Sequence, residues 1–579
     1  MLVVAGIVFF AGLGRLPLLE PDEGRNAEVA REMLASGDLI TPHFNTLTYL
    51  DKPVVYFWMV AASFRLWGLT EWAARFPSAL MALATMLLTW FLARRMFGDS
   101  AGLRAAIVLA TTPLVVAYSR LVIFDMTLAF LVTVAMTCFW FAAASDYRRP
   151  WLEVLLFAVM GLATITKGPV GFLLPLLSIL AYQALRGRVS ELKHLRWGLG
   201  VAVFLVVALP WFIAVSLRHP DFPRYALWEE SLRRFATGSA RRGGSVFYYV
   251  PVFLLGFFPW SFFLLFAGGN RWRRWRELRQ EAHKPALFLL AWGAVIFVFF
   301  SISQSKLPGY FLPAVVPLSI LMAVAWAEVG AAGAERRPDW LTAGFATLIL
   351  LGLVVTAAPQ VFRFAAVEIA LTEKIHPAVV ALLKPSLFYT GLILVALGFV
   401  GRNLAARRRG RILSVASLTL VALAVPLLLV RWRVPLQTYA AASSSRQLAR
   451  TILESPEKDL PLYGYYCFRT SLAFYLRHPV GLVTADASEL TSNYISRRLP
   501  ELRRGMGRAG PPEPLLMDST DLRNRAHYSP QAMLVMVRNR NVRQLSQVVP
   551  RMEPLWSDWE YSVWKIPAAE EHEGTGNRE

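Results

Sequence analysis

The sequence predicts a polytopic α-helical membrane protein that ends in a small soluble α/β domain, and three observations carry that prediction. The 579 residues are 56% hydrophobic and 17% charged with a mean hydropathy of +0.45, which takes the chain out of the soluble globular class. Apolar runs long enough to cross about 30 Å of hydrocarbon, roughly 20 residues each, recur through the first 430 positions. After Arg431 the hydropathy falls and short alternating segments replace the long runs. The formal net charge of +21 does not point to nucleic acid, because the Lys and Arg residues fall in short clusters between apolar runs rather than on one face.

In order, spans are predicted near residues 2–18, 72–93, 102–118, 122–143, 151–166, 169–185, 197–216, 246–267, 285–302, 309–328, 340–358, 386–401 and 412–430, about 13 in all. No basic residue precedes the first run and no clear small-residue cleavage site follows it, so residues 2–13 read as a retained span. Basic clusters lie between alternate spans: Arg94, Arg95 and Arg104; Arg148 and Arg149; residues 186–196; residues 271–284; Arg336 and Arg337; and residues 402–411. The positive-inside rule places these loops in the cytoplasm, and the odd count places residues 19–71, 217–245 and the chain after 430 outside.

Residues 54–67 are apolar between Pro53 and Gly68, but at about 14 residues they are too short for an ordinary span and read as an interfacial helix. A second surface helix is predicted over 22–36, where Arg25, Glu28, Arg31 and Glu32 share turns with Ala27, Ala30, Met33 and Leu34 before Gly37 stops it. The expected division is 1–430 for the transmembrane domain, including the outer loop 19–71 with its interfacial helices, 431–569 for the soluble α/β domain, and 570–579 for a disordered tail. Within the soluble domain, strands are expected at 460–465, 481–484, 533–537 and 561–566, a helix at 471–476, and a Gly/Pro-rich loop at 503–518. Cys138 and Cys467 stand far apart and supply neither a disulfide framework nor a thiolate metal site, and the eight His residues form no zinc spacing.

The motif Glu20-Pro21-Asp22-Glu23-Gly24-Arg25 sets carboxylates and a base just outside the first span. Asp22 reads either as a helix cap, favoured at a first turn on dipole grounds, or as a working carboxylate. Asp51-Lys52-Pro53 is open in the same way, because a Lys at a bilayer surface also meets lipid phosphate. Asp125, at the outer end of an otherwise apolar span, is a costlier placement that implies function or an ion pair with Arg120 or Arg25. The topology brings it to the same side as Asp22. Lys167 in Thr166-Lys167-Gly168-Pro169, Lys306 in Ser305-Lys306-Leu307-Pro308-Gly309-Tyr310, and Arg233, Arg234, Arg241 and Arg242 add cations to that face. Such groups bind phosphate oxygens through charge-assisted hydrogen bonds, so the set suggests a phosphorylated, lipid-embedded substrate. Spans 285–302, 309–326 and 412–430 contain no Asp, Glu, Lys, Arg or His, which argues against an ion-coupled transporter with charges near the midplane.

On these motifs, together with residues 27–34, Tyr49-Leu50-Asp51-Lys52-Pro53 and residues 119–125, the chain resembles the lipid-to-lipid glycosyltransferases typified by the aminoarabinose transferase of lipid A. They lie within the GT-C class that includes protein O-mannosyltransferases. Order and spacing agree over about the first 330 residues; the soluble tail agrees in position and character. The resemblance implies about 13 spans, a periplasmic C-terminal domain, an undecaprenyl-phosphate-linked sugar donor, 4-amino-4-deoxy-L-arabinose as the sugar, and lipid A or another periplasmic acceptor in a bacterial inner membrane. It implies Asp22 and Asp125 as essential carboxylates, Arg25 as their orienting or substrate-binding partner, and Lys52 as the donor phosphate ligand. Arg241, Arg242, Lys167, Lys306 and Tyr310 join the phosphate-binding set. Asp51 stands where the family generally has a Glu near a divalent metal ion, and the outer loop at 230–250 has no His where some members have one; both departures count against zinc. The rival expectations are a same-fold transferase of mannose or another hexose to protein or polysaccharide, a lipid transporter, and a non-catalytic sensor.

Overall fold

The computed structural model describes residues 2–233, 244–272, 280, 283–327, 329, 339–363, 375–407, 410–509 and 515–569. These form two compact units, one of residues 1–15 and 52–439 and the other of residues 16–51 and 440–579.

The first unit is a bundle of apolar helices and carries the membrane-spanning character of the protein. Among the described residues nine helices are long and apolar enough to cross a bilayer: Glu71–Phe97, Asp125–Ala144, Pro150–Lys167, Trp197–Arg218, Lys284–Ile302, Pro308–Ala327, Asp339–Val361, Pro377–Arg407 and Gly410–Ala442. Each covers one of the expected spans, and the other four expected spans take different forms. Val246–Gly256 and Trp260–Gly269 meet at a 108° bend around Pro259, and Val170–Arg186 is a shorter apolar helix. The run 102–118 divides into Asp99–Ala110 and Pro113–Tyr118, because Pro113 has no N–H to continue the helix. Leu2–Phe10 spans nine residues. The apolar segment after Pro53 forms the helix Val55–Trp67, which buries one side: Tyr56 and Phe57 meet the ring of Phe124, and the Tyr56 hydroxyl lies 2.9 Å from Ser78 Oγ.

The second unit is a six-stranded mixed sheet with helices on both faces. Its strands are β3 Leu462–Tyr465, β4 Gly481–Val483, β5 Leu516–Met517, β6 Met533–Arg538, β7 Glu553–Ser557 and β8 Tyr561–Ile566, following a small hairpin of β1 His43–Phe44 and β2 Leu47–Thr48. The spatial order is β5-β4-β3-β6-β8-β7, parallel from β5 through β6 and antiparallel for the last two pairs. Side chains alternate between two cores. Leu462, Leu534, Met536 and Val563 join Leu448, Ile452 and Leu472 on one face, while Tyr463, Tyr465, Val483, Val535 and Val537 join Leu545 on the other.

Residues 16–51 depart from the expected division, because they belong to this second unit rather than to the transmembrane domain. The helix Asp22–Ser36 packs against Thr470–Leu476, and ten of its fifteen residues are buried, Glu23, Arg25, Glu28 and Glu32 among them. The β1–β2 turn, with Asn45 and Thr46 at φ 55° and 61°, aims the Asn45 amide at the backbone of Val480, donating to its carbonyl and accepting from its N–H at 2.8 Å each. Phe44 meets Phe468 edge-on at 5.7 Å. The boundary expected at 430 falls inside the helix Gly410–Ala442. The loop expected at 503–518 is instead helical through Ala509, as the end of Asn493–Ala509, and regains a strand at Leu516–Met517. The expected disordered tail 570–579 lies outside the described residues.

Candidate functional site

In the membrane unit the central feature is a buried carboxylate. Asp125 opens the helix Asp125–Ala144, where the unpaired N–H groups of the first turn favour a negative charge. Its Oδ1 accepts from the Lys167 ammonium, and the two side chains are only 5% and 9% exposed. Lys167 is the last residue of Pro150–Lys167, the end of a helix where a positive charge is favoured, and Gly168 follows at φ 86°. The ammonium also lies 4.3 Å from the centre of the Tyr310 ring, a cation–π distance. Of the alternatives raised for Asp125, neither Arg120 nor Arg25 is this partner: Arg120 donates to the carbonyl of Ala11.

Tyr310 sits in the turn Pro308–Phe311, and Gly309 lets that turn approach. A Cβ on Gly309 would lie 2.4 Å from the Tyr118 ring and 2.8 Å from Asp125 Oδ1, so only glycine fits against the carboxylate. The Tyr249 hydroxyl donates to Leu307 O at 3.1 Å and fixes the turn's entry. Lys306, expected to bind phosphate, places Nζ 3.2, 2.8 and 2.6 Å from the carbonyls of Phe300, Ser301 and Ser303. An ammonium has three protons, so these contacts use them all and make Lys306 the C-terminal cap of the helix Lys284–Ile302.

Lys52, in the same unit, pairs with Glu230, a residue the sequence reading did not single out. Glu230 lies in the wide π-type helix Tyr225–Arg233, and its sequence signal is an acidic pair with Glu229 in a mostly basic outer loop. Arg234, Arg241 and Arg242 lie outside the described residues, as does the side chain of Arg233.

In the second unit, Asp22 is the first residue of its helix, and its carboxylate accepts from Arg25 Nη2. Arg25 is anchored in turn, with Nη1 2.5 Å from Thr491 Oγ1 and the guanidinium 5.9 Å from the Tyr49 ring centre. Burial opposes its charge, but Tyr49, Asp22 and Asp51 outweigh that and hold its pKa above the usual arginine value. The result is a carboxylate 36% exposed on a guanidinium 7% exposed, an accessible acid group with a fixed orientation. Gly24 makes the local packing possible, since a Cβ there would lie 2.4 Å from Ser471 N.

Glu20 is absorbed by structure. Its carboxylate accepts from the N–H and hydroxyl of Thr470 at 2.6 and 2.5 Å, the N–H of Ser471 at 3.0 Å, the hydroxyl of Ser471, and the hydroxyl of Ser445 at 2.9 Å. Asp51 is buried, and its Oδ1 accepts from Tyr494 N at 3.0 Å, at the start of the helix Asn493–Ala509. Among the described residues no group of three or more His, Cys, Asp or Glu gathers as a metal-binding set.

Residues 51–213 match the family model described as dolichyl-phosphate-mannose-protein mannosyltransferase. The chain is 34% identical over 360 residues to the undecaprenyl phosphate-alpha-4-amino-4-deoxy-L-arabinose arabinosyl transferase of Pseudomonas aeruginosa strain UCBPP-PA14, covering 61% of this chain and 64% of that protein. The Edwardsiella ictaluri transferase of the same name is 35% identical over 313 residues, 54% of this chain and 55% of its own. The alignments thus span just under two thirds of one curated relative and little over half of the other. The crystal structure of ArnT from Cupriavidus metallidurans bound to undecaprenyl phosphate superposes with a TM-score of 0.81 at 29% identity, covering 98% of this chain and 97% of that one. The resemblance drawn from the motifs is borne out, and the fold is that of the Cupriavidus metallidurans structure, a polytopic membrane bundle with a sheet-containing C-terminal unit.

Proposed function

We propose that this chain is a membrane glycosyltransferase that moves 4-amino-4-deoxy-L-arabinose from undecaprenyl phosphate to a phosphate of lipid A at the periplasmic face of the bacterial inner membrane. The observation that carries the reading is the likeness along nearly the whole chain to a transferase solved with undecaprenyl phosphate. The buried Asp125–Lys167–Tyr310 cluster gives that likeness a chemical content, because a charged cluster inside an apolar bundle is retained for work.

In this reading Lys52 and Lys167 take the donor phosphate, with Tyr310 beside it and Arg241 and Arg242 as further phosphate ligands. Asp22, oriented by Arg25, positions the acceptor or steadies the positively charged sugar. The reaction is a direct displacement with inversion. An acceptor phosphate oxygen forms a bond to the anomeric carbon, the bond from that carbon to the donor phosphate oxygen breaks, and its electron pair leaves with undecaprenyl phosphate. Cations preorganised in a site poor in water stabilise the charge that develops on the leaving phosphate. The acceptor phosphate is already ionised, so no base is required; a hydroxyl acceptor would need one, and Asp22 or Asp125 would supply it. No step runs through a metal.

A second reading, transfer of mannose or another hexose from a polyprenyl phosphate to protein or polysaccharide, is favoured by the match at residues 51–213. One experiment separates them: the purified protein is given undecaprenyl-phosphate-linked aminoarabinose, mannose and glucose, with lipid A or a peptide as acceptor. The proposal expects aminoarabinosyl lipid A and a loss of at least a hundredfold in folded Asp22→Asn and Asp125→Asn. Transfer of hexose alone overturns the sugar assignment, and full activity in both variants overturns the site.

A further inference from the structure

Glu230, the partner of Lys52, is a charged group in the membrane unit to which the transfer chemistry gives no part. Lys52 is 19% exposed and Glu230 12% exposed in their side chains, so the ammonium is largely withdrawn from water and Glu230 answers its charge. The chain reaches Glu230 by an unusual route. Tyr225–Arg233 forms a nine-residue π-type helix, a wide geometry that is rare outside functional segments. A surface ion pair at this point would call for none of this, since two exposed charges interact weakly and lose side-chain freedom by pairing.

We propose that Glu230 competes with the lipid phosphate for Lys52, and so sets how tightly the phosphate is held and how readily the spent carrier leaves. This rests on the reading of Lys52 as a donor phosphate ligand. A carboxylate and a phosphate within a few ångström of one ammonium repel each other, so phosphate binding is an exchange of anions in which Glu230 gives up Lys52. When the sugar has been transferred, the same carboxylate returns to Lys52 and opposes retention of undecaprenyl phosphate. Glu230 touches neither the sugar nor the bond that breaks; it acts through Lys52 and is a positioning residue.

The test is binding of undecaprenyl phosphate to the purified full chain, in wild type, Glu230→Gln, Lys52→Met and the double variant. Replacing the carboxylate by the amide keeps shape and removes the competing charge, so Glu230→Gln is expected to bind on the order of tenfold more tightly, the scale of one partly buried ion pair. Product inhibition by undecaprenyl phosphate should strengthen by the same factor, a change opposite in sign to that of a damaged fold. In the Lys52→Met background the Glu230 substitution should change nothing. Unchanged or weaker binding in Glu230→Gln, with Lys52→Met still impaired, overturns the proposal while leaving the phosphate role of Lys52 standing. No binding in wild type, or no effect of Lys52→Met, overturns the phosphate role and the proposal with it.

Discussion

Replacing Glu20 by Ala tests whether the acidic motif is divided between structure and chemistry. The perturbation removes a carboxylate that accepts five hydrogen bonds, two from backbone N–H groups of Thr470 and Ser471 and three from hydroxyls of Thr470, Ser471 and Ser445. Thr470, Ser471 and Ser445 are all fully buried. Two of the three hydroxyls have second partners, since the Thr470 proton can turn to Pro21 O at 2.6 Å and Ser471 Oγ accepts from Ser445 N at 3.1 Å. The two N–H groups open the helix Thr470–Leu476 and have no partner within it. Leaving a buried donor unsatisfied costs about 1–3 kcal/mol, so the two together put the loss at about 2–6 kcal/mol. A membrane chain with two units does not unfold in one step, so a local probe is the proper assay. Hydrogen–deuterium exchange of the peptide spanning 470–476 should accelerate by roughly 30-fold or more, at about tenfold per 1.4 kcal/mol. Exchange in the membrane helices should not change. Wild-type protection of that peptide in Glu20→Ala would refute the assignment of Glu20 to structure.

Two further outcomes follow from the geometry. Gly309→Ala brings a methyl within 2.4 Å of the Tyr118 ring and 2.8 Å of Asp125 Oδ1, so transfer should fall at least tenfold while the purified protein keeps its wild-type helical circular dichroism; full transfer would show that the turn need not touch Asp125. Burial and the neighbouring Glu28 raise the Glu32 carboxyl to about 8. Its ordinary value is 4.5, so between about 4.5 and 8 the folded unit holds a proton that the unfolded chain releases, and stability falls as pH rises through that window. The slope is at most about 1.4 kcal/mol per pH unit, and Glu32→Gln should flatten it in urea titrations followed by an amide probe in β6.

The long apolar runs made the membrane helices legible, and the central strands were legible as short apolar runs buried on both faces. The two strands that went unread, β5 and β7, are the edges of the sheet. An edge strand has one neighbour and needs little burial: β5 has two residues, and β7 carries Pro554 and a bulge before Trp556. At the site, charges in apolar surroundings drew attention to Asp125 and Lys167, but not to each other, because 42 residues separate them. Lys306 drew attention for the same reason and found a different answer. A lone cation between apolar runs needs negative charge, and the last carbonyls of a helix supply it as well as a phosphate does. Glu230 was hidden in a polar loop, where one more acid carries no signal.

The hydrogen bond from Arg25 to Thr491 joins residues 466 positions apart, and Asn45 reaches Val480 across 435. At about 5–20 residues per second, roughly 20–90 seconds of synthesis separate Arg25 from the residue that anchors it. The strand order of the sheet compounds the delay, because β6 and β8, near its middle, are made last. Asp22 and Arg25 therefore emerge early, and Arg25 gains its anchor only when the chain has been made past Thr491. A chain terminated between residues 443 and 490 keeps every described membrane helix and lacks the Thr491 anchor of Arg25, so the architecture ties the orientation of this acid group to completion of the soluble unit.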